Sequence, residues 1–259
     1  ISAANNVTLS LSDSTVSSNS ADTSGGAIYT QGICTLNIST DLTSNEAGSI
    51  GGAIYSYQGT ITMDGDLTGN SAGGDGGAIY SIWSTVDLNG TVSGNSATGN
   101  GGGIYVEAGG KVNIQGNPVV TGNTANGKPS NLYICANSSS PLLTIDAEGL
   151  TTDAQIGVST NASCPVLLAG GMQTDYSAYF IPDDANTFVL YNSDAKTLTL
   201  CAKPTATLKG DTLTITTGSG NMSNIVLLAA EYDADGKMLA VQSWNVAPQE
   251  DTYTCDVKN

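Results

Sequence analysis

The chain has 259 residues and carries 23 acidic side chains against seven lysines, with no arginine and no histidine, for a formal net charge of −16. A surface of that sign repels nucleic acid and anionic lipid, whose recognition needs a cationic patch. The missing His and Arg remove the usual acid–base group at neutral pH, the usual clamp for carboxylate or phosphate, and the commonest nitrogen ligand for metals.

No stretch approaches the ~20 apolar residues of a membrane helix. Ile1 is not followed by a signal peptide, as expected of a mature or excised fragment. Cys34, Cys135, Cys164, Cys201 and Cys255 stand singly, with no CxxC pair. They read as small buried hydrophobes rather than a zinc or redox site.

Four landmarks recur between residues 14 and 128. GGAIY begins at Gly25, Gly51 and Gly76 and returns as GGGIY at Gly101, which sets Ile28, Ile54, Ile79 and Ile104 at intervals of 26, 25 and 25. An asparagine keeps the same beat at Asn19, Asn45, Asn70, Asn95 and Asn123, each followed two residues on by Ala. Apolar pairs stand at Leu36/Ile38, Ile61/Met63, Val86/Leu88 and Val112/Ile114. A lone aliphatic precedes the Asn at Val16, Leu42, Leu67 and Val92. Each repeat thus holds three apolar steps of period two, too short for helices, separated by Gly, Asn and Ser turns. Three strands and three turns in about 25 residues make one rung of a parallel β-helix, with rungs stacked at about 4.8 Å. An Asn at one corner stacks into an amide ladder, and the paired glycines suit a corner that needs positive φ.

The GGAIY strings together with SGNSA resemble the GGA(I/L/V) and FxxN repeats of the polymorphic outer-membrane protein family, and the chain is similar to parallel β-helix proteins of bacterial cell surfaces. The likeness spans residues 14–128. It departs where the family's Phe is replaced by Val16, Leu42, Leu67 or Val92. The resemblance, with the general crossover rule, implies a right-handed parallel β-helix. It further implies a surface-exposed or secreted, adhesin-like role at a bacterial cell surface.

Beyond Lys128 the beat loosens. Leu132 takes the Ile position with Tyr133 after it, and short strands are expected at 142–145, 155–158, 166–168, 178–181, 188–191 and 197–200, as irregular rungs that close the end. The β-helix therefore spans 1–203. From Pro204 the segments at 205–218, 224–246 and 251–259 read as antiparallel strands, with a hairpin turn at 233–236. This part, 204–259, resembles the start of a β-sandwich module of Gram-positive surface proteins, either truncated or serving as a cap.

Two rows could carry chemistry. With Ile28 inward, period two turns Tyr29, Tyr55, Tyr80 and Tyr105 outward. Tyr57 and Trp83 widen the stripe. Such a stripe could stack on sugar rings or simply stabilise the rungs. Asp41 and Asp66 fall on adjacent rungs with Asp64 nearby, and carboxylates about 5 Å apart are what a retaining glycosidase requires. The turn acids Asp22 and Asp75 read as solvated. The outward row Asn37, Thr62, Asp87 and Asn113 is no threonine array. The sequence points to no cofactor or metal. The expected function is a non-enzymatic adhesin or stalk whose partner is a glycan or a cell-surface protein. The alternative is a polysaccharide-degrading enzyme centred on Asp41, Asp64 and Asp66.

Overall fold

The structure, a computed structural model, describes residues 1–107, 109–136 and 142–209, and the segments 212–216, 225–232, 235, 238–246 and 252–256. The chain divides into two compact units, Ile1–Leu200 and Cys201–Asn259.

The first unit is a parallel β-solenoid. Its second complete rung is typical: Ile28–Gln31, Thr35–Ile38, Asp41–Thr43 and the two-residue strand Glu46–Ala47. The sequence predicts three strands per rung; the structure has four, because the residues after each Asn pair with their counterparts above and below. Five such rungs follow one another from Ser2 to Ala125. Pairing is in strict register, Ile28 on Ile54, Leu36 on Ile61 and Leu42 on Leu67. Alternation then places the repeated aliphatics inside. Ile28, Ile54, Ile79, Ile104, Leu42, Leu67 and Val92 are fully buried. In the first rung Leu9, Leu11 and Val16 are covered from one side and stay half-buried.

The glycine doublets divide the work. Gly25, Gly51, Gly76 and Gly101 adopt φ of 66, 67, 71 and 61°, where a side chain strains the backbone. At the second glycine the obstacle is the next rung: a Cβ on Gly52 would collide with the carbonyl oxygen of Gly77. The Ala that follows is buried. In the fourth GG string that Ala is Gly103, because a Cβ there would lie 2.8 Å from the Asn131 oxygen and 2.9 Å from the Asn123 side chain.

The stack closes with fewer true rungs than expected. Thr124–Ala125 folds back antiparallel on Lys128–Pro129. Leu132–Ile134, Thr144–Leu150 and Gln155–Thr160 form a sixth turn, and Gln155–Thr160 pairs with both Val119–Thr121 and Leu132–Ile134, bridging two faces of the solenoid. Phe180–Pro182 lies parallel on that bridging strand. Val166–Gly170, Thr187–Asn192 and Thr197–Ala202 are not rungs. They form a three-stranded sheet in which Val166–Gly170 and Thr197–Ala202 run antiparallel. This sheet is separate from the three sheets of the solenoid, so the rung pattern does not continue into it.

The second unit contains the antiparallel sheet Thr205–Lys209, Thr212–Thr216 and Thr252–Asp256, and the antiparallel pair Ile225–Tyr232 with Met238–Val246. Of the hairpin turn expected at 233–236, all but Asp235 lies outside the described residues, as does the side chain of Cys255.

Candidate functional site: an aromatic stack beside an amide column

The first strand of each rung turns its Ile inward and the next residue outward. Tyr29, Tyr55, Tyr80, Tyr105 and Tyr133 therefore stand in register, each half-buried. Their ring centroids are 4.8, 5.7, 5.0 and 5.4 Å apart, with interplanar angles of 8, 10, 15 and 7°. The strand spacing imposes this separation, and it lies within the range for aromatic contact. Inside the stack each ring has both faces covered by its neighbours. The stripe consequently offers ring edges and hydroxyls outward, not the flat faces a sugar would stack on.

The hydroxyls are themselves engaged. The Tyr80 hydroxyl donates to the Glu107 carboxylate, and the Tyr105 hydroxyl lies 3.0 Å from Cys135 Sγ. Burial, reinforced by the Glu107 hydrogen bond, pushes the Tyr80 phenol well above its ordinary range. Burial and then the Cys135 contact do the same for Tyr105. Burial also raises Tyr55 and Tyr133. The paired aromatics expected to widen the stripe form a contact of their own: Tyr57 and Trp83 have centroids 5.5 Å apart at 50°. Trp83 is 55% exposed, and its indole lies over Gly109, where a Cβ would sit 2.5 Å from Cδ1.

The asparagines form a continuous directed column. Asn19 Nδ2 donates to Asn45 Oδ1 at 2.9 Å, Asn45 to Asn70 at 3.0 Å, Asn70 to Asn95 at 2.9 Å, and Asn95 to Asn123 at 2.8 Å. The backbone N–H of each donates to the same oxygen. The second hydrogen of the side chain reaches a carbonyl two rungs from the acceptor, as with Asn70 to Leu42 at 2.9 Å. Asn45, Asn70, Asn95 and Asn123 are buried. Their amides are fully satisfied, as buried polar groups must be.

Two members escape the sequence reading. Asn123 donates to Asn131 Oδ1 at 3.0 Å, so one rung supplies two asparagines through the short hairpin between them. Asn131 then donates its backbone N–H and its amide to the Asp183 carboxylate at 2.7 and 2.6 Å, and the Ser159 hydroxyl joins at 2.9 Å. Every amide in the column points its N–H toward this end. The carboxylate therefore meets the positive pole, as an acidic side chain does at a helix N-terminus. Pro129-Ser130-Asn131, breaking the spacing after Asn123, is the local sign of the extra asparagine. Asp183, 52 residues further along, leaves no local sign.

The acids proposed for catalysis are engaged as rung-to-rung acceptors. Asp41 Oδ1 accepts the Asp66 backbone N–H at 3.1 Å, and Asp66 Oδ1 accepts that of Thr91 at 3.2 Å. Asp64 Oδ1 accepts the Asn89 amide at 3.4 Å. All three side chains are exposed. Among the described residues no cluster of three acids or thiols is placed to hold a metal ion. Next to the mixed row at Asn37 and Thr62, the structure adds a threonine row that the sequence reading missed. Thr8, Thr35, Thr60 and Thr85 stand in register until Lys111 interrupts them.

The Chlamydia polymorphic membrane protein repeat matches residues 13–31, 65–82 and 89–107. Each stretch runs through or up to one column asparagine and on through the glycine doublet to a stack tyrosine. No curated protein and no solved structure matches the chain significantly. The repeat and the solenoid together fit a surface-exposed, outer-membrane or adhesin-like protein. Among the described residues no helix is long and apolar enough to cross a membrane.

Proposed function

We infer, from a chain whose rungs carry the polymorphic membrane protein repeat, that it is a non-enzymatic adhesin or stalk module held at a bacterial cell surface. Its partner in this reading is a glycan or a protein on another cell. The observation that carries the reading is the regularity of the rungs. From Gly25 to Gly127 each corner is a short turn, with no insertion long enough to wall a cleft, and long loops are where a rigid scaffold builds catalytic sites. Asp41 and Asp66 meanwhile hold backbone N–H groups of the next rung, which accounts for their alignment without catalysis. The strongly acidic composition keeps such a module soluble and unattracted to polyanions.

The test is adhesion. Beads coated with the purified chain should adhere to cultured epithelial cells, and bare beads should not. In parallel, the chain is incubated with a panel of neutral and uronate polysaccharides and assayed for reducing ends and unsaturated products. Adhesion without product formation is the expected result. Product formation that disappears in Asp41→Asn or Asp66→Asn would overturn it in favour of the polysaccharide-degrading alternative with Asp41, Asp64 and Asp66.

A further inference from the structure

The stack of tyrosines ends at Tyr133. On the bridging strand Gln155–Thr160 the register partner of Tyr133 is Ser159, not another aromatic. One face of Tyr133 packs on Tyr105; on its other side the partner Ser159 carries no ring, and both residues line a depression. At the opposite end of the stack, Tyr29 is paired with Ser2 of an exposed strand. The Tyr133 end differs because the chain builds walls around it. The Lys128–Ser130 hairpin and the loop at Asp183–Ala185 border a broad, open depression of about 660 Å³. Asn100, Lys128, Ser130, Ser159 and Asp184 line it with Tyr133.

We propose that this depression is a binding site for a neutral hexopyranose, with the uncovered face of Tyr133 as its floor. The proposal rests on the display reading above and names the ligand class. The C–H face of a pyranose is apolar and flat and matches an open aromatic face, while its rim of hydroxyls needs both donors and acceptors. Lys128 supplies a donor, Asp184 an acceptor and Asn100 both. A concave site with one apolar floor and a few convergent polar groups is the usual plan of a small-ligand site, and the volume suits one or two sugar units. Sugar acids are excluded by charge. Asp183 and Asp184 flank the site and the chain carries a net −16, a field that repels a uronate. The site also explains why the row of five tyrosines ends at Tyr133 with Ser159 as its partner.

The test uses saturation-transfer NMR on the whole chain with maltotriose, lactose and chitotriose, and a hyaluronan tetrasaccharide as the acidic probe. At least one neutral sugar should bind, with Kd near ~1 mM, and the acidic one should not. Ser159→Tyr places a ring over Tyr133 and should weaken binding about tenfold or more. Asn100→Ala, which leaves the stack and the Asn131–Asp183 contacts untouched, should weaken it as well. Tyr55→Phe, inside the stack, should leave it unchanged. Neutral-sugar binding that survives both Ser159→Tyr and Asn100→Ala overturns the site. So does an absence of sugar binding. If the coated beads still adhere in that case, the display reading stands without this site; if adhesion fails too, both fall.

Discussion

Asn70 sits at the middle of the amide column, and replacing it with Ala is the sharpest test of what holds the rungs together. Four hydrogen bonds disappear. Two are donated by Asn70 Nδ2, to Leu42 O and Asn95 Oδ1, both at 2.9 Å; two are accepted from Asn45, from its N at 2.9 Å and its Nδ2 at 3.0 Å. All four are buried, so no water replaces them. At about 1 kcal/mol net apiece the loss is about 4 kcal/mol, and the stranded Asn45 N–H adds to it. Asn19→Ala is the internal control. Asn19 is exposed, its bonds exchange with water, and its loss costs under about 1 kcal/mol. Urea unfolding followed by far-ultraviolet circular dichroism measures both variants. The slope must be compared as well as the midpoint, because stacked repeats can unfold in parts. If Asn70→Ala and Asn19→Ala cost the same within error, the column is a by-product of stacking and the argument fails.

Three further outcomes are expected. Among the described residues Ser81 Oγ is buried without a hydrogen-bond partner, and the position above it is Val106, so Ser81→Ala should raise stability by about 1 kcal/mol in the same urea assay. A loss would mean that the hydroxyl has a partner. Gly103→Ala drives a Cβ against Asn131 and Asn123 and should cost about 1–3 kcal/mol, whereas Gly94→Ala, with open space but φ of 65°, should cost less; equal costs would remove the steric account. The phenols of Tyr55, Tyr80, Tyr105 and Tyr133 are raised in the folded chain by burial first. The folded state therefore holds protons that the unfolded state releases near pH ~10. The stability these phenols contribute is complete below that pH and is lost above it. The part of the phenolate absorbance that is lost when Tyr55, Tyr80, Tyr105 and Tyr133 are replaced by Phe should rise together with unfolding at alkaline pH, and its appearance near pH ~10 in a chain still folded would refute the shifts.

The parts of the fold that repeat were legible, because repetition turns a weak local pattern into a strong one. Ile28 and Tyr29 alone say little. Ile beside Tyr at Gly25, Gly51, Gly76 and Gly101 fixes which residue points inward and which outward. What sequence could not supply was orientation and distance. The spacing of the tyrosines follows from strand geometry, but whether their rings lie face to face or turn outward depends on neighbours such as Glu107 and Cys135. The two-residue strands at Glu46–Ala47 and Ser71–Ala72 are too short to carry any periodicity. The closing segment is irregular by necessity, since it must stop what the rungs propagate. Asp183, which ends the amide column, lies in a loop whose local sequence suggests only a turn. The acids Asp41 and Asp66 were placed correctly on adjacent rungs, yet their backbone partners, Asp66 N–H and Thr91 N–H, belong to the turn geometry and not to the pattern of side chains.

The strict register of one rung on the next has a mechanical consequence. A load applied along the solenoid axis runs across the strands, so it strains the contacts between coils rather than the covalent chain. The weakest coil detaches as a unit, and with about 25 residues at about 3.4 Å each it releases about 85 Å of contour length. The shortened stack that remains has the same kind of exposed edge as before and is ready to yield again. Extension proceeds in steps, dissipating work at each one, and the coil can rewind on the template left behind when tension falls.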